Sequence, residues 1–245
     1  GLCAHDVSAQ YFGRNKVQYE DFDFKVMHSD HFDIYHYAES GPLVRDFGVL
    51  AERWHARYSG LFNYHFNRPN PIIVYRNHAD FHQTNVIQQI IGIGTGGVTE
   101  GLKNRVVMPL ASSYQGTNHV LGHELVHAFQ FRLLKGNDSL SLESTRYMPL
   151  WFMEGMAEYL SIGPHDAHTN MWLADAVLNK DVPTIKQMTR NMEYFPYRFG
   201  HAMWTFITGK WGDKALPRLY ANTAKGGFPQ ACKQVLGISR DSLSR

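Results

Sequence analysis

Two histidines and a glutamate, in the segment His-Glu-Leu-Val-His at residues 123–127, are the side chains of this chain best suited to chemistry. On a helix, His123 and His127 lie on one face, one turn apart, so both imidazoles can reach one Zn²⁺ ion. Glu124 can then address a water molecule in an open position of the metal, as a general base. The pattern predicts a hydrolase that uses a metal-activated water.

The surroundings of this motif favour a metal site over a plainer alternative, two surface histidines beside a core-facing stripe. A helix is predicted to begin near Thr117 or Asn118, either of which can cap it. The apolar residues of this helix are Val120, Leu121, Leu125, Val126, Ala128, Phe129 and Phe131. Such a helix is expected to be largely buried. Because buried polar side chains must be paired or bind something, we expect the motif to hold a metal.

A third metal ligand is expected further along the chain. The metzincin pattern continues with a glycine three residues after the second histidine and a histidine three residues later, but Gln130 and Leu133 stand there and exclude it. Glu154 and Glu158 lie four apart in an apolar run, where like charges repel and are poorly solvated. A cation at Glu154 and a ligating imidazole at Glu158 would relieve this conflict. The alternative is a solvated pair on the back of a core helix.

The two motifs together resemble a known group of enzymes. His-Glu-x-x-His, a gap of a few tens of residues, and Trp-x-x-Glu-Gly-x-Ala-Glu-Tyr at 151–159 are similar to the pattern of gluzincin metallopeptidases of the peptidase MA-like clan. The chain resembles in particular the bacterial secreted zincin domain that often precedes a TolB-like β-propeller. The resemblance extends over roughly residues 24 to 240. Segments outside the motifs that also resemble this group are 32–35, 84–86, 96–100 and 104–109.

This resemblance implies a zinc metallopeptidase. One Zn²⁺ ion would be held by His123, His127 and Glu154, with Glu124 as general base and a peptide or protein as substrate. It also implies a zincin-like fold and a C-terminal β-propeller in the full-length protein. Two other functions stay open: a zinc-bearing binding module without hydrolytic activity, and a hydrolase of non-peptide amides or esters. Glu124 counts against the first, because a structural zinc site needs no general base.

An oxyanion-stabilising residue is also expected, because zincins place an electrophile opposite the metal. The chain offers Tyr194, Tyr197, Arg198 and His201 in one segment. Tyr197 and Gly200 have the Tyr-x-x-Gly spacing that resembles the segment carrying this tyrosine in gluzincin aminopeptidases. We therefore predict Tyr197 in the catalytic role, with His201, one turn later, as its substitute. The alternative is that Tyr197 packs in the core or in an interface.

The strand before the active-site helix suggests where a substrate would bind. In zincins this strand is typically the sheet edge that pairs with an extended peptide. By resemblance, residues 104–108 would do so here by strand addition, with Asn104, Val106 and Met108 as substrate-binding residues. The alternative is an ordinary antiparallel strand.

The elements that would position these residues form an α+β fold. Alternation and turn signals predict strands at 24–28, 32–37, 71–75, 97–100 and 104–110 in a mixed N-terminal sheet, with a helix over 42–62. The glycine-rich stretch 92–97 lacks the Lys-Ser/Thr ending of a phosphate loop and is predicted to be a flexible loop or flap. The second half is predicted to be mainly helical, with helices over 150–161, 167–179, 199–210, 213–224 and 228–236.

Length and chain ends indicate how the domain is organised. We expect residues 1–20 to be a flexible lead and 21–245 a single catalytic domain, with a sheet lobe plus active-site helix at 21–135 and a helical lobe at 136–245. The chain reads as a fragment of a longer protein. Residues 7–10 resemble the small-residue end of a signal peptide, which hints at a secreted or cell-envelope (periplasmic) protein. Cys3 and Cys232 are expected to be free thiols, with a bridge between them as the alternative.

Composition excludes several other classes of function. A chain of 245 residues that is 44% hydrophobic can bury a full core. A net charge of +2, with 19% charged residues, provides no basic footprint for nucleic acid or an anionic membrane surface. No apolar run approaches the length of a membrane span, so no transmembrane segment is expected.

Overall fold

The computed structural model describes residues 16, 18–37, 40–87, 91–92, 94–136 and 140–245. The fold is α+β, with a five-stranded mixed sheet in the first half and a mainly helical second half. The strands are β1 Lys25–His28, β2 Phe32–His36, β3 Asn70–Tyr75, β4 Val98–Glu100 and β5 Arg105–Pro109. The predicted mixed sheet is confirmed, and each predicted strand is present with bounds that differ by a few residues.

The helices confirm the predicted contrast between the two halves. Those of the first half are α1 Gly41–Phe62, the short α2 His78–His82 and α3 Tyr114–Lys135. Those of the second half are α4 Leu150–Ile162, α5 Ala167–Leu178, α6 Ile185–Arg190, α7 Pro196–Trp211, α8 Ala215–Gly226, α9 Phe228–Ala231 and α10 Arg240–Leu243. A 3-10 turn at Leu142–Tyr147 precedes α4, and a π-helical turn at Cys232–Leu236 follows α9.

The order of strands in the sheet is β1-β2-β3-β5-β4. The three inner strands, β2, β3 and β5, run parallel, and the outer strands β1 and β4 pair antiparallel to their neighbours. Parallel neighbours need long connections, and α1 supplies the connection from β2 to β3. The strand that ends the sheet on the side of the active-site motif is therefore β4.

This order corrects the prediction that residues 104–108 form the substrate-binding edge. β5 is flanked by β3 and β4, so its backbone has no free side for an added strand. Val106 and Met108 are fully buried in the core. Asn104 precedes the strand in a left-handed conformation, with φ of 54°, and its Nδ2 donates to Asn70 Oδ1 at 2.7 Å. These three residues support the sheet and cannot contact a substrate.

α3 is positioned by direct contacts with α1. Trp54 packs where Gly122 has no side chain, since a Cβ there would lie 2.7 Å from the indole ring. The indole Nε1 donates to Asn118 Oδ1 at 3.0 Å, and the Tyr58 hydroxyl donates to the Gly122 carbonyl at 3.1 Å. The helix that carries the His-Glu-Leu-Val-His motif is therefore fixed against the sheet half of the molecule.

The beginning of α3 differs from the prediction. The helix starts at Tyr114, and its N-cap is Ser113, whose side chain accepts a hydrogen bond from the Gly116 amide. Neither predicted cap has that role: Thr117 Oγ1 accepts from the Ala111 amide, and the Asn118 amide oxygen accepts from Trp54. The expected burial of the helix is confirmed, because most residues from 121 to 130 are buried.

In the second half, α4 and α7 pack backbone against backbone. A Cβ on Gly155 would overlap the backbone of Gly200, and a Cβ on Gly200 would overlap the Trp151 carbonyl. Glycine at both positions therefore allows an approach that any side chain would prevent. This approach brings the start of α7 beside the carboxylates of α4.

The chain termini bear on several sequence predictions. Residues 1–15 and 17, which include Cys3 and the signal-like stretch 7–10, lie outside the described residues. The amides of Tyr19 and Glu20 both donate to Gln83 Oε1, so this part of the predicted flexible lead is attached to the domain. Cys232 is a buried free thiol, as expected. In the described ranges, no helix combines the length and the apolarity needed to cross a membrane.

Candidate metal centre

Three side chains from α3 and α4 converge on one point. His123 Nε2, His127 Nε2 and Glu154 Oε2 lie 3.2 Å from one another in all three pairs. At a tetrahedral zinc site with bonds near 2.0–2.1 Å, ligand atoms are about 3.4 Å apart. The spacing of the three atoms therefore suits a zinc ion, and the structure brings together the three residues predicted to be metal ligands.

The hydrogen bonds of the two Nδ1 atoms fix the orientation and the tautomer of each imidazole. His123 Nδ1 lies 3.0 Å from Glu158 Oε1, and His127 Nδ1 lies 2.8 Å from Gln130 Oε1. A carboxylate only accepts, and the Gln130 amide nitrogen donates to the Met153 carbonyl, which leaves its oxygen to face His127. Both Nδ1 atoms therefore carry a proton, and both Nε2 atoms face the carboxylate of Glu154. These three atoms at 3.2 Å repel each other unless a proton or a metal cation lies among them.

The pKa values of His123, His127 and Glu154, which we call the metal cluster, also indicate that positive charge is favoured at this point. Burial alone would lower the pKa of His123, but hydrogen bonds to Glu154 and Glu158 outweigh it and raise that pKa to about 10. Burial would raise the pKa of Glu154, but the charge and hydrogen bonds of the two histidines hold it well below its usual range. The anion of Glu154 is therefore stabilised by positive charge at the two histidines, which protons or a bound metal cation can supply.

Glu124 lies next to this cluster and contacts the sheet edge. Its Oε2 accepts a hydrogen bond from Thr99 Oγ1 at 2.7 Å, and the same hydroxyl lies 2.9 Å from the Glu124 carbonyl. A Cβ on Gly97 would lie 2.9 Å from Glu124 Cγ, so glycine is required for β4 to come this close. Thr99 and Gly97 fix the carboxylate of the predicted general base at the mouth of the metal cluster.

Glu158 connects the cluster to a wider ionic network. While its Oε1 contacts His123, its Oε2 lies 3.0 Å from an Arg198 guanidinium nitrogen, and that same nitrogen lies 3.0 Å from Asp166. His119, one turn before His123, lies 3.5 Å from Glu158. The predicted role of Glu158 beside a ligating imidazole agrees with this geometry. Arg198 is neutralised by two carboxylates, so it acts on the metal cluster through Glu158.

Tyr197, the predicted oxyanion stabiliser, lies in the cleft above the metal cluster. Its ring stacks on the His123 imidazole, with centroids 5.9 Å apart and planes 18° from parallel. Burial, together with the charges of Glu154 and Glu124, raises the pKa of the Tyr197 hydroxyl well above its usual value. The hydroxyl therefore keeps its proton over the physiological pH range and can serve as a hydrogen-bond donor.

Two other residues considered for that role, His201 and Tyr194, lie elsewhere. His201 is buried, and its Nε2 lies 2.7 Å from the Gly163 carbonyl at the end of α4, so the prediction that it substitutes for Tyr197 is wrong. One helical turn advances about 5.4 Å, which carries His201 away from the cleft and under that carbonyl. The Tyr194 hydroxyl donates to Asp181 at 2.8 Å and lines no part of the cleft as described.

A cleft opens on both sides of the cluster. One side, with a volume of about 480 Å³, is apolar away from the two histidines and is lined there by Phe131, Met148, Leu150 and Met153. The other side, of similar volume, is lined by residues 94–97, His119, Phe195, Tyr197 and Arg198. Residues 94–97 belong to the predicted flap, and β4 follows directly. The cleft therefore extends to two sides of His123 and Glu124, which line both halves.

A second group of metal-ligand type, His31, Glu52 and His55, has a structural explanation. The Glu52 carboxylate accepts three hydrogen bonds, from the Ser29 hydroxyl, the His31 amide and His31 Nδ1. The rings of His31 and His55 stack with centroids 3.7 Å apart, and His55 Nε2 lies 3.2 Å from the Ser59 hydroxyl. Burial lowers the pKa of His55 to about 4 and keeps it neutral. This group holds the β1–β2 turn on α1.

Comparison with known proteins identifies no family for this chain, so the function is argued from the geometry of the site. No protein-family model matches the chain, and no curated protein matches it by sequence. The resemblance to gluzincin metallopeptidases therefore stays a prediction.

Sequence reasoning missed three residues of the centre. In the sequence, Gln130 serves only to exclude the metzincin pattern. A polar residue three positions after His127 on a buried helix is nevertheless a signal for a hydrogen-bond partner of the imidazole. Thr99 and Gly97 had no local signal, because their role depends on the pairing of β4 next to α3.

Proposed function

We propose that this protein is a zinc-dependent metallopeptidase of the gluzincin type with a zincin-like fold. The observation that carries the proposal is the convergence of His123 Nε2, His127 Nε2 and Glu154 Oε2 at 3.2 Å spacing, with both Nδ1 protons directed away. A glutamate that is not a ligand, Glu124, lies at the mouth of this cluster, as hydrolysis requires and structural zinc does not.

The residues of the cleft have complementary tasks in peptide hydrolysis. A bound Zn²⁺ ion supplies Lewis acidity, which acidifies water and polarises a carbonyl. Glu124, held by Thr99, takes the proton from the attacking water and returns it to the leaving amine. Tyr197 donates its phenolic proton in a hydrogen bond to the developing oxyanion. Glu158 and Gln130 keep the two imidazoles in the tautomer that the metal needs.

The edge strand β4 supports a peptide as the substrate. It ends the sheet beside the cleft, and Val98 and Thr99 belong both to this strand and to the cleft wall. An extended chain that paired with β4 would lie across the mouth of the metal cluster and place a peptide carbonyl near Glu124. We therefore propose β4, in place of the predicted residues 104–108, as the strand that pairs with the substrate.

The test combines metal analysis with a peptide-library cleavage assay. We expect the wild type to bind one zinc per chain and to cleave peptides, and Glu124→Gln to keep the zinc while kcat falls by about 10²–10⁴-fold. Glu143→Gln, the same change at an exposed residue, is the control and should leave both unchanged. Near-normal turnover in Glu124→Gln would refute its role as general base.

The same experiment separates the alternatives. One zinc per chain without cleavage of any peptide would overturn the peptidase proposal. Ester or other amide turnover that depends on Glu124 would then assign a non-peptide hydrolase, and its absence would leave a zinc-bearing binding module.

A further inference from the structure

α5 is an apolar helix with few buried residues. Thr169 and Ala176 are its buried positions, whereas Leu178 is 82% exposed and Trp172 is 38% exposed. Met171 and Val177 are exposed as well. A soluble protein rarely leaves this much apolar surface on one element unless that surface contacts something.

A series of aromatic rings connects this surface to the metal cluster. Trp172 contacts Phe195 with ring centroids 5.6 Å apart, Phe195 contacts Tyr197 at 5.2 Å, and Tyr197 stacks on His123 at 5.9 Å. We call these four residues the aromatic ladder. Phe195 and Tyr197 both line the cleft, so the exposed surface of α5 continues the cleft wall.

The direction of the edge strand brings a bound chain to this ladder. Residues 94–97 directly precede β4; Gly94 and Gly96 line only the half of the cleft that contains Phe195, whereas Thr95 and Gly97 border both halves. A peptide that pairs with β4 and passes beyond Gly97 therefore enters that half. Arg198 is the cation there, and Glu158 and Asp166 neutralise it. Phe195 and Tyr197 supply the large aromatic side chains of this wall.

We infer that the aromatic ladder and the exposed side of α5 bind an apolar segment of the peptide substrate, remote from the bond that is cleaved. This inference rests on the proposed peptidase function and names its substrate class: chains with large apolar or aromatic side chains on one side of the scissile bond. An extended chain advances about 3.3 Å per residue. Three ring-to-ring steps therefore correspond to a side chain about three to five residues from the metal. Tryptophan at the end of such a path is a typical binding hot spot.

The test compares short and long substrates of one sequence. The starting substrate is a six-residue peptide that contains the cleaved bond. It is extended by six residues, at the N-terminal end in one series and at the C-terminal end in another. Each extension contains either Leu and Phe or Ser. We expect kcat/KM of the wild type to rise about tenfold with the apolar extension on one side only. Trp172→Ala should abolish this gain while lowering kcat/KM for the six-residue peptide by a much smaller factor. Phe206→Ala, at a 51% exposed aromatic of α7, is the matched control and should retain the gain.

Four outcomes would overturn the inference. Equal kcat/KM for all extensions would refute remote selection while leaving the peptidase intact. A loss in Trp172→Ala that is the same for the six-residue peptide would indicate a merely structural role. A dimer in sedimentation velocity that dissociates in Trp172→Ala would assign the surface to a second copy of the chain. If no peptide is cleaved at all, the proposed function itself fails, and this inference fails with it.

Discussion

Each imidazole of the metal cluster is held by a different kind of partner. His123 has a buried carboxylate, Glu158, whereas His127 has a neutral amide, Gln130. A carboxylate raises the basicity of the ring it accepts from more than an amide does. His123 is therefore expected to be the stronger ligand, and its strength depends on a residue that does not contact the metal.

Replacing Glu158 tests this dependence. We expect Glu158→Gln to weaken zinc binding by about 10–100-fold, because the charged hydrogen bond to His123 Nδ1 is lost while the side-chain volume is kept. Zinc affinity measured by competition with a chelator is the readout, with Glu143→Gln as the exposed control. Unchanged affinity in Glu158→Gln would show that the hydrogen bond only orients the ring during folding.

At the scale of elements, the contact of α4 with α7 decides where the cleft residues lie. Gly200→Ala would place a Cβ against the Trp151 carbonyl, and backbone cannot move aside as a flexible side chain can. We expect a loss of about 1–3 kcal/mol in the free energy of unfolding, together with weaker zinc binding. Thermal and denaturant unfolding measure the first, and chelator competition the second.

The control for this prediction lies on the same helix. Gly209 has nothing within 4 Å of where its Cβ would lie. Gly209→Ala should therefore stabilise α7 by up to about 1 kcal/mol, as the helix propensity of alanine predicts. Equal effects at the two glycines would show that close packing of α4 and α7 is not what positions Tyr197.

The elements also show what could be predicted from the sequence. His123, His127 and Glu154 were found because their spacing on single helices is a local property, and the two helices then meet as expected. The edge strand was misassigned because a hairpin of β4 and β5 has two outer sides, and only the distant pairing of β5 with β3 decides which is free. The prediction for His201 is wrong for a similar reason, because its hydrogen-bond partner, the Gly163 carbonyl, belongs to a distant part of the sequence.

At the scale of the whole molecule, the candidate metal centre lies between two halves of the chain. α3, with its histidines, is fixed to the sheet half through Trp54 and Tyr58, whereas Glu154 belongs to α4 of the helical half. Without a metal ion, protons on the imidazoles must offset the buried carboxylate of Glu154 at this junction. A ligand that binds only the folded state stabilises it, and here the stabilisation acts on the junction itself.

Removal of zinc should therefore lower the melting temperature of the entire protein. At a free zinc concentration about 100 times Kd, binding contributes about 2.7 kcal/mol, which for a chain of this size corresponds to roughly 5–10 °C in Tm. Calorimetry with a chelator, and then with zinc restored, measures this shift. Glu154→Gln, which keeps the side-chain volume but lacks the anionic ligand, should fold and show little response to zinc, whereas Glu143→Gln should respond as the wild type does. A full zinc-dependent shift in Glu154→Gln would place the stabilising ion outside the cluster of α3 and α4, because the cluster would then lack its third ligand.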